Sequence, residues 1–318
     1  MEKLQLISSD NYQQTMNEQV LPYLRAHVRA GREENGLYYE FYPLDEFKGT
    51  VMLSHGFTEN CAKFAEIIYY LHRAGYQVAT MDHRGHGRSQ REKGLEDLVH
   101  IDRFETYVED MHRMVRLMVL PDAKEKPTCL IGHSMGGAIS LMYLEAHPEV
   151  FTRGILTAPM VQVNSAPFSF RAGKGLADGA CLLGKTRKRA FVTSPYSHDE
   201  TLEKSCCCGQ ARFDWYHDLC EKEPLFQQGA ASFGWVREAA GVTAKILAPE
   251  AVAHLKMPLL FLTAGKDTLV RNDAIERLCA MAPDARRVDF PESKHEIYRG
   301  EDATVQRWMQ TVLDFLPV

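Results

Sequence analysis

The sequence predicts an α/β fold, a mainly parallel sheet with helices on both faces and an inserted cap, and three observations carry that prediction. Short apolar runs such as Val51-Met52-Leu53-Ser54, Gln77-Val78-Ala79-Thr80-Met81 and Leu259-Leu260-Phe261-Leu262-Thr263 are separated by helix-length segments, which is the pattern of parallel strands joined by crossovers. Several of these runs are continuously apolar rather than alternating, as strands buried on both faces are. The rhythm fails after Pro159 and returns at Pro258. The core is therefore expected from 1–159 and 251–318, and the cap from 160–250.

Taken in order, residues 11–24 have helical spacing, and the turn-rich Gly31-Arg32-Glu33-Glu34-Asn35-Gly36 predicts a hairpin between Ala26–Ala30 and the strand Tyr38-Tyr39-Glu40-Phe41-Tyr42. A helix over 61–74 should stop at Gly75, and a long amphipathic helix over 102–120 should stop at Pro121. After the strand Cys129-Leu130-Ile131 and its helix come Gly154-Ile155-Leu156-Thr157, then the insertion. A helix from 272, a strand at 286–290 and a helix at 302–315 finish the chain.

At 318 residues and 45% hydrophobic content the chain can bury a large core. The net charge of -5, without a basic tail or a long like-charge block, argues against a nucleic-acid partner. The first ten residues lack the apolar segment of a signal peptide, and no apolar run approaches the roughly 20 residues of a membrane span. A cytoplasmic protein is expected. The 8 cysteines are too sparse for a disulfide framework and read as reduced thiols. Cys206-Cys207-Cys208 lacks the partners of a metal site and reads as packing.

The chemistry starts at Gly132-His133-Ser134-Met135-Gly136, which directly follows an apolar run and precedes the small and apolar Ala138-Ile139-Ser140-Leu141. A strand that turns sharply into a helix with a strained serine at its crest needs glycine on both sides, and this is the nucleophile elbow of an α/β-hydrolase. A serine hydroxyl is a poor nucleophile, so a histidine must take its proton and a carboxylate must hold that histidine. In this fold they follow in the order serine, acid, histidine. Asp267 lies just beyond the strand 259–263, and His295, the only histidine after His254, lies just beyond the strand 286–290. Asp273, Asp284 and Asp289 compete with Asp267 for the acid. Oxyanion donors are expected from the N–H of Met135 and from that of Phe57, in the loop His55-Gly56-Phe57-Thr58 after the first buried strand. His55, Gly56, Trp215 and Trp235 are candidate substrate-binding residues, the tryptophans because the insertion is rich in aromatic rings; His55 also reads as a brace for that loop, and Gly56 as the residue that lets its backbone turn inward. With Phe168, Phe170, Phe191, Phe213, Tyr216, Phe226 and Phe233 the tryptophans fit a cap over an apolar pocket, and about half of these rings should serve only the cap's own core. The segment Asp82-His83-Arg84-Gly85-His86-Gly87-Arg88-Ser89 could pass for a metal or phosphate site, but no coordination shell completes it and it reads as a turn beneath the site.

Together these segments, with Glu59, Thr157-Ala158-Pro159 and Gly265 before Asp267, resemble the monoacylglycerol lipase and lysophospholipase L2 group of α/β-hydrolases over most of residues 37–315. Phe104, Tyr107, Val108 and Asp110, with Trp235-Val236-Arg237-Glu238, look nearer to the lysophospholipase branch. The sequence departs at Asn60, where monoacylglycerol lipases commonly carry histidine. The resemblance implies a serine esterase whose cap admits single-chain lipid esters.

The expectation is a carboxylic ester hydrolase working through an acyl-enzyme on a small lipid ester, with no metal or organic cofactor. A serine aminopeptidase of the same fold is the alternative, with Glu221 and Glu223 available to hold a substrate ammonium, and a non-enzymatic ligand-binding homologue is another. Epoxide hydrolases and dehalogenases are disfavoured, since they need a carboxylate at the position of Ser134. Arg171, Lys174, Lys185, Arg187, Lys188 and Arg189 stand against Asp178 alone over 171–189, a basic run that more often is only a solvated face but could attract a lysolipid phosphate or bring the cap into transient contact with an anionic membrane surface.

Overall fold

The computed structural model describes residues 6–122, 126–191 and 193–317. In chain order the strands among them are β1 (Arg29–Arg32), β2 (Tyr38–Tyr42), β3 (Gly49–Ser54), β4 (Tyr76–Met81), β5 (Leu98–Val99), β6 (Thr128–His133), β7 (Arg153–Thr157), β8 (Ala230–Ala231), β9 (Leu259–Ala264) and β10 (Ala285–Phe290). One sheet runs β1-β2-β4-β3-β6-β7-β9-β10, and β5 pairs with β8 apart from it. From β4 to β10 all neighbours are parallel, while β1 and β2 add an antiparallel edge. The expected mainly parallel sheet is therefore present.

Strand pleating sends successive side chains to opposite faces, and both faces are covered. Met52, Leu130, Leu156 and Phe261 join the apolar cluster that holds the helices Glu105–Met118, Met135–Ala146 and Asn272–Met281. Val51, Leu53, Ile131, Ile155, Leu260 and Leu262 join the opposite cluster, with Ala65–Arg73 and Asp302–Phe315. The strand order reverses between β3 and β6, since β4 lies to one side of the pair and β7, β9 and β10 to the other. A crevice at the carboxyl ends of β3 and β6 follows from that reversal.

Four elements have boundaries that differ from the sequence reading. The first helix continues to His27, with a wider π turn at Met16–Val20 just before Pro22, whose missing N–H breaks the regular ladder. The hairpin strand consequently begins at Arg29 rather than Ala26. The helix expected over 61–74 opens as a tight turn at Cys61–Phe64, capped by Asn60, and becomes α-helical at Ala65–Arg73 before Gly75 turns away with φ +94°. The helix expected over 102–120 spans Glu105–Met118, and the Glu238 carboxylate accepts the Phe104 N–H at its entrance.

Within 160–250 the helices Phe170–Leu182 and Phe233–Ile246 pack on each other. The helix Gln210–Lys222 goes elsewhere and leans on the N-terminal helix. Its Arg212 is fully buried, bonded to both carboxylate oxygens of Glu66 at 2.9 and 2.8 Å and to Asp302 at 2.8 Å. Trp215, one turn on, stands edge-to-face to Tyr12 at 6.4 Å between centroids and belongs to the second core cluster.

The segment 82–89 is the tight turn that the sequence implied. Asp82 accepts the N–H groups of Cys61 at 2.6 Å and Arg88 at 2.7 Å, and the His83 N–H donates to His55 Nε2 at 2.8 Å. Burial lowers the pKa of His55 and His83, and pushes that of His86 down to about 3. These rings stay neutral in the native state while the unfolded chain takes up protons below its ordinary pKa of about 6.5. Stability should therefore fall as pH drops below about 6.5, by up to about 1.4 kcal/mol per pH unit for each such ring. Urea unfolding at pH 7.5 and 5.0 should give the lower free energy at pH 5.0, with a smaller difference in His86→Gln; equal values at the two pH points would contradict neutral burial.

Candidate active site

Ser134 directly follows β6 with φ 53° and ψ −119°, and the helix Met135–Ala146 starts at the next residue. Non-glycine residues seldom occupy this region, at a cost of about 1–3 kcal/mol, and do so where the surroundings impose it. Among the described residues the other two with positive φ are Thr58 and Ala158. All three lie just past the carboxyl ends of adjacent strands. The glycines are required by close approach: a Cβ on Gly136 would fall on the carbonyl oxygens of Ser54 and His55, and one on Gly132 would meet Ser140 and the Gly136 carbonyl.

His295 Nδ1 lies 2.6 Å from Asp267 Oδ2, and Asp267 Oδ1 accepts the N–H groups of Leu269 at 2.8 Å and Val270 at 3.1 Å. Burial works against the Asp267 charge, yet the bond and charge of His295 and the two N–H donors hold the carboxyl below its usual range. The competing acids are placed elsewhere. Asp273 pairs with exposed Arg271, Asp289 with Thr263 and Arg287, and Asp284 precedes β10 at the end opposite His295. His295 Nε2 is buried and has no hydrogen-bond partner among the described residues. Ser134 and Phe57 both border one cavity.

The loop after β3 is tied down from below. His55 is fully buried, its Nδ1 2.8 Å from the Gly56 carbonyl and its Nε2 holding the His83 N–H. It braces the loop and does not line the cavity, which corrects its assignment to substrate. Gly56 is corrected likewise: its N–H goes to Glu59 Oε2 at 2.5 Å, and a Cβ there would stand 3.0 Å from Ser134 Cβ, so it serves close approach. Phe57 turns its ring onto Trp235, 4.2 Å between centroids.

Glu59 is the residue that sequence reasoning underrated. Its Oε2 also lies 3.0 Å from His133 Nδ1, and its Oε1 meets Lys63 Nζ at 3.0 Å and the Tyr298 hydroxyl at 2.9 Å. Burial disfavours this charge, but His133, Lys63 and the Gly56 N–H hold the carboxyl well below its usual range. Lys63 continues to Glu296 at 2.6 Å, which Lys63 and Arg299 keep at about 2 against its burial. The one signal in the sequence is the spacing of Glu59 and Lys63 by four residues, which on a helix entry brings the two side chains together.

The cavity over Ser134 measures about 330 Å³ and is walled by apolar residues that include Phe57, Met160, Val163, Phe170, Phe233 and Trp235, together with Leu269 and Val270. Lys174, paired to Asp178 at 2.7 Å, is the one charged side chain among its described lining residues. Of the insertion's rings, Phe168, Phe170, Phe191, Phe233 and Trp235 reach the cavity and the others do not. Trp215 is the third correction: it packs on Tyr12, because its helix is held to the N-terminal side by Arg212. Glu221 and Glu223 are also absent from the lining. Glu221 is taken by His198 and Tyr196 on the surface, and Glu223 caps the turn Pro224–Phe226.

A reversal crevice filled by a strained serine, with an acid–histidine pair after the last two strands, defines an α/β-hydrolase. More narrowly, the chain belongs to the family described as serine aminopeptidase, S33, whose model matches residues 45–302. Lysophospholipase L2 of Escherichia coli is 30% identical over 282 residues, covering 83% of this chain and 79% of its own length. A probable lysophospholipase L2 of Haemophilus influenzae is 28% identical, covering 87% and 86%. In fold, the chain is similar to a soluble variant of monoglyceride lipase from Saccharomyces cerevisiae, with a TM-score of 0.74 and 19% identity over 90% of this chain and 93% of that one.

The two tryptophans should separate in assay. Trp235→Ala removes a cavity wall and should raise KM for a long-chain ester about 5- to 30-fold, as a loss of about 1–2 kcal/mol of apolar burial implies. Trp215→Leu should lower the melting temperature by several degrees and leave KM within about two-fold. A KM effect from Trp215→Leu as large as that from Trp235→Ala would contradict this placement.

Proposed function

We propose that the protein is a serine carboxylic ester hydrolase acting on single-chain lipid esters, a monoacylglycerol lipase or lysophospholipase in type, through an acyl-enzyme. The observation that carries this reading is the apolar cavity over Ser134, whose described lining contains no carboxylate. An acyl chain gains about 0.8 kcal/mol for each methylene it buries there. A peptide's N-terminal ammonium finds no counter-charge, so the aminopeptidase alternative lacks its binding group despite the family's description. The lysophospholipase names of relatives matched over most of their length favour the same substrate class.

In the proposed reaction Ser134 Oγ attacks the ester carbonyl while His295 Nε2 takes its proton, and Asp267 fixes the tautomer through Nδ1 and stabilises the imidazolium. The oxyanion meets the N–H of Met135, a first-turn helix donor without an intrahelical acceptor, and that of Phe57. His295 returns the proton to the leaving alcohol; water, activated by the same histidine, then releases the fatty acid.

The finer proposal concerns the mouth. Phe168 and Leu176 on the cavity rim are 45% and 46% exposed, and Leu182 and Leu183 at the tip of the same helix are 88% and 76% exposed. Beside them Arg171, Lys185, Lys188 and Arg189 have no ion-pair partner among the described residues, whereas Arg187 is occupied by Glu92 and Asp102. Apolar tips beside free cations suit transient contact with an anionic lipid surface. No helix among the described residues is long and apolar enough to cross a membrane.

Ser134→Ala and His295→Ala should each lower kcat by roughly 10⁴-fold or more, and Asp267→Asn by about 10²- to 10⁴-fold. A panel of monoacylglycerols, lysophospholipids and aminoacyl amides should give turnover on the lipid esters; turnover confined to the amides would reinstate the aminopeptidase. Leu182→Asp with Leu183→Asp should weaken sedimentation with phosphatidylglycerol vesicles without changing hydrolysis of a soluble short-chain ester. Unchanged vesicle binding would remove the surface contact from the proposal.

A further inference from the structure

The loop that carries His295 is held from the insertion as well as from the sheet. Lys294, next to the proposed base, sends its ammonium into the carbonyls of Leu202, Glu203 and Ser205 at 2.8, 2.9 and 3.1 Å. An ammonium has three donors, and all three are used. The Lys294 N–H meets Cys208 Sγ at 3.3 Å, and the Glu296 N–H donates to the Cys206 carbonyl at 2.9 Å. Both residues flanking His295 are thus bonded through their backbone to one short inserted segment. A few residues on, the Arg299 carbonyl accepts from Cys207 Sγ at 2.8 Å and from the Gly209 N–H at 3.0 Å. A side chain on Gly209 would fall on the Gly300 carbonyl, so the two strips of backbone lie in close contact. The three consecutive cysteines, unexplained by the sequence alone, have their place here. They occupy the strip that faces the histidine loop.

We infer that Lys294 is a positioning residue for the general base: its ammonium, seated in the carbonyls of residues 202–205, fixes the loop bearing His295 to the inserted segment. The inference rests on the reading of His295 as base. Its physical content is orientation. Asp267 holds one edge of the ring at Nδ1, but a single bond leaves the imidazole free to tilt with its backbone, and Lys294 removes that freedom by anchoring the residue before it. A displacement near 1 Å at a reacting group can cost about 10²-fold in rate. Because Lys294 is not among the residues bordering the cavity, its loss should act on the rate of the chemical step and not on binding of the acyl chain.

The test is Lys294→Met, which keeps the length of the side chain and removes the three donors, assayed in the full-length protein with a p-nitrophenyl ester. The expected result is a fall in kcat of roughly 10- to 100-fold with KM within about two-fold. Inactivation by a fluorophosphonate, which uses the same base and nucleophile, should slow in parallel. Lys294→Arg, which retains the charge and donors, should recover most of the rate, and Lys294→Gln, with two donors, should fall between. If Lys294→Met does not fold, the ordering of the Gln and Arg variants carries the test. A kcat equal to wild type in Lys294→Met, or a change confined to KM, would overturn the positioning role. His295→Ala run alongside separates the two readings: its retaining activity would sink the base assignment itself, whereas inactive His295→Ala with fully active Lys294→Met would sink only the clamp.

Discussion

The Glu59 carboxylate is the constraint on which the active-site geometry depends. One oxygen takes the Gly56 N–H and faces His133 Nδ1; the other takes Lys63 and the Tyr298 hydroxyl. Those four partners belong to the loop after β3, the elbow after β6, the helix entry at Cys61–Phe64 and the turn that follows His295. A single buried charge thus links the segments that the proposed mechanism requires to act together. Its burial is costly, and only its full set of partners makes it tolerable; removing one partner of such a pair typically costs about 3–5 kcal/mol because the other is left uncompensated. Two of the residues with positive φ, Thr58 and Ser134, stand directly beside members of this network, Glu59 and His133.

Residues 160–250 divide their labour. Arg212, with Glu66 and Asp302, locks the helix Gln210–Lys222 to the N-terminal side of the molecule. The strip just before that helix meets the histidine loop. The helices Phe170–Leu182 and Phe233–Ile246 instead turn their apolar residues to the cavity, and Trp235 reaches down to Phe57. Polar anchoring on one side and an apolar cover on the other explain how a loop-rich interval can hold the proposed catalytic groups in register and still line the cavity with an apolar, carboxylate-free surface.

Much of this was legible because backbone requirements leave marks in sequence. Gly132 and Gly136 announce the elbow since no side chain fits there, and the apolar runs of β3, β6 and β9 announce buried parallel strands. The order serine, acid, histidine pointed to His295 but left Asp273, Asp284 and Asp289 in competition with Asp267, and the structure holds Asp267 and His295 2.6 Å apart. Boundaries without a stop signal were less legible: Leu24-Arg25-Ala26-His27 favours helix as readily as it favours the strand expected from Ala26. Aromatic content told that the insertion has something to bury but not on which side, so Trp215 and Trp235 looked alike until Arg212 fixed one helix away from the cavity. Of the two roles the sequence allows for His55 and Gly56, contact with substrate or support of the loop, their neighbours make them a brace and a spacer. The Glu59 knot and the Lys294 clamp join residues far apart in the chain, and a single sequence contains no record of such pairings.

The account turns on whether the acyl group passes through Ser134. The most direct measurement is acid quenching of the enzyme within its first turnovers on a monoacylglycerol or lysophospholipid, followed by peptide mass spectrometry. The account predicts a fatty-acyl adduct on the peptide containing Gly132-His133-Ser134-Met135-Gly136, localised to Ser134 and accumulating in the His295→Ala background only on a far slower timescale. An acyl group found on another residue, or turnover with no trapped adduct under conditions where deacylation is slow, would contradict it.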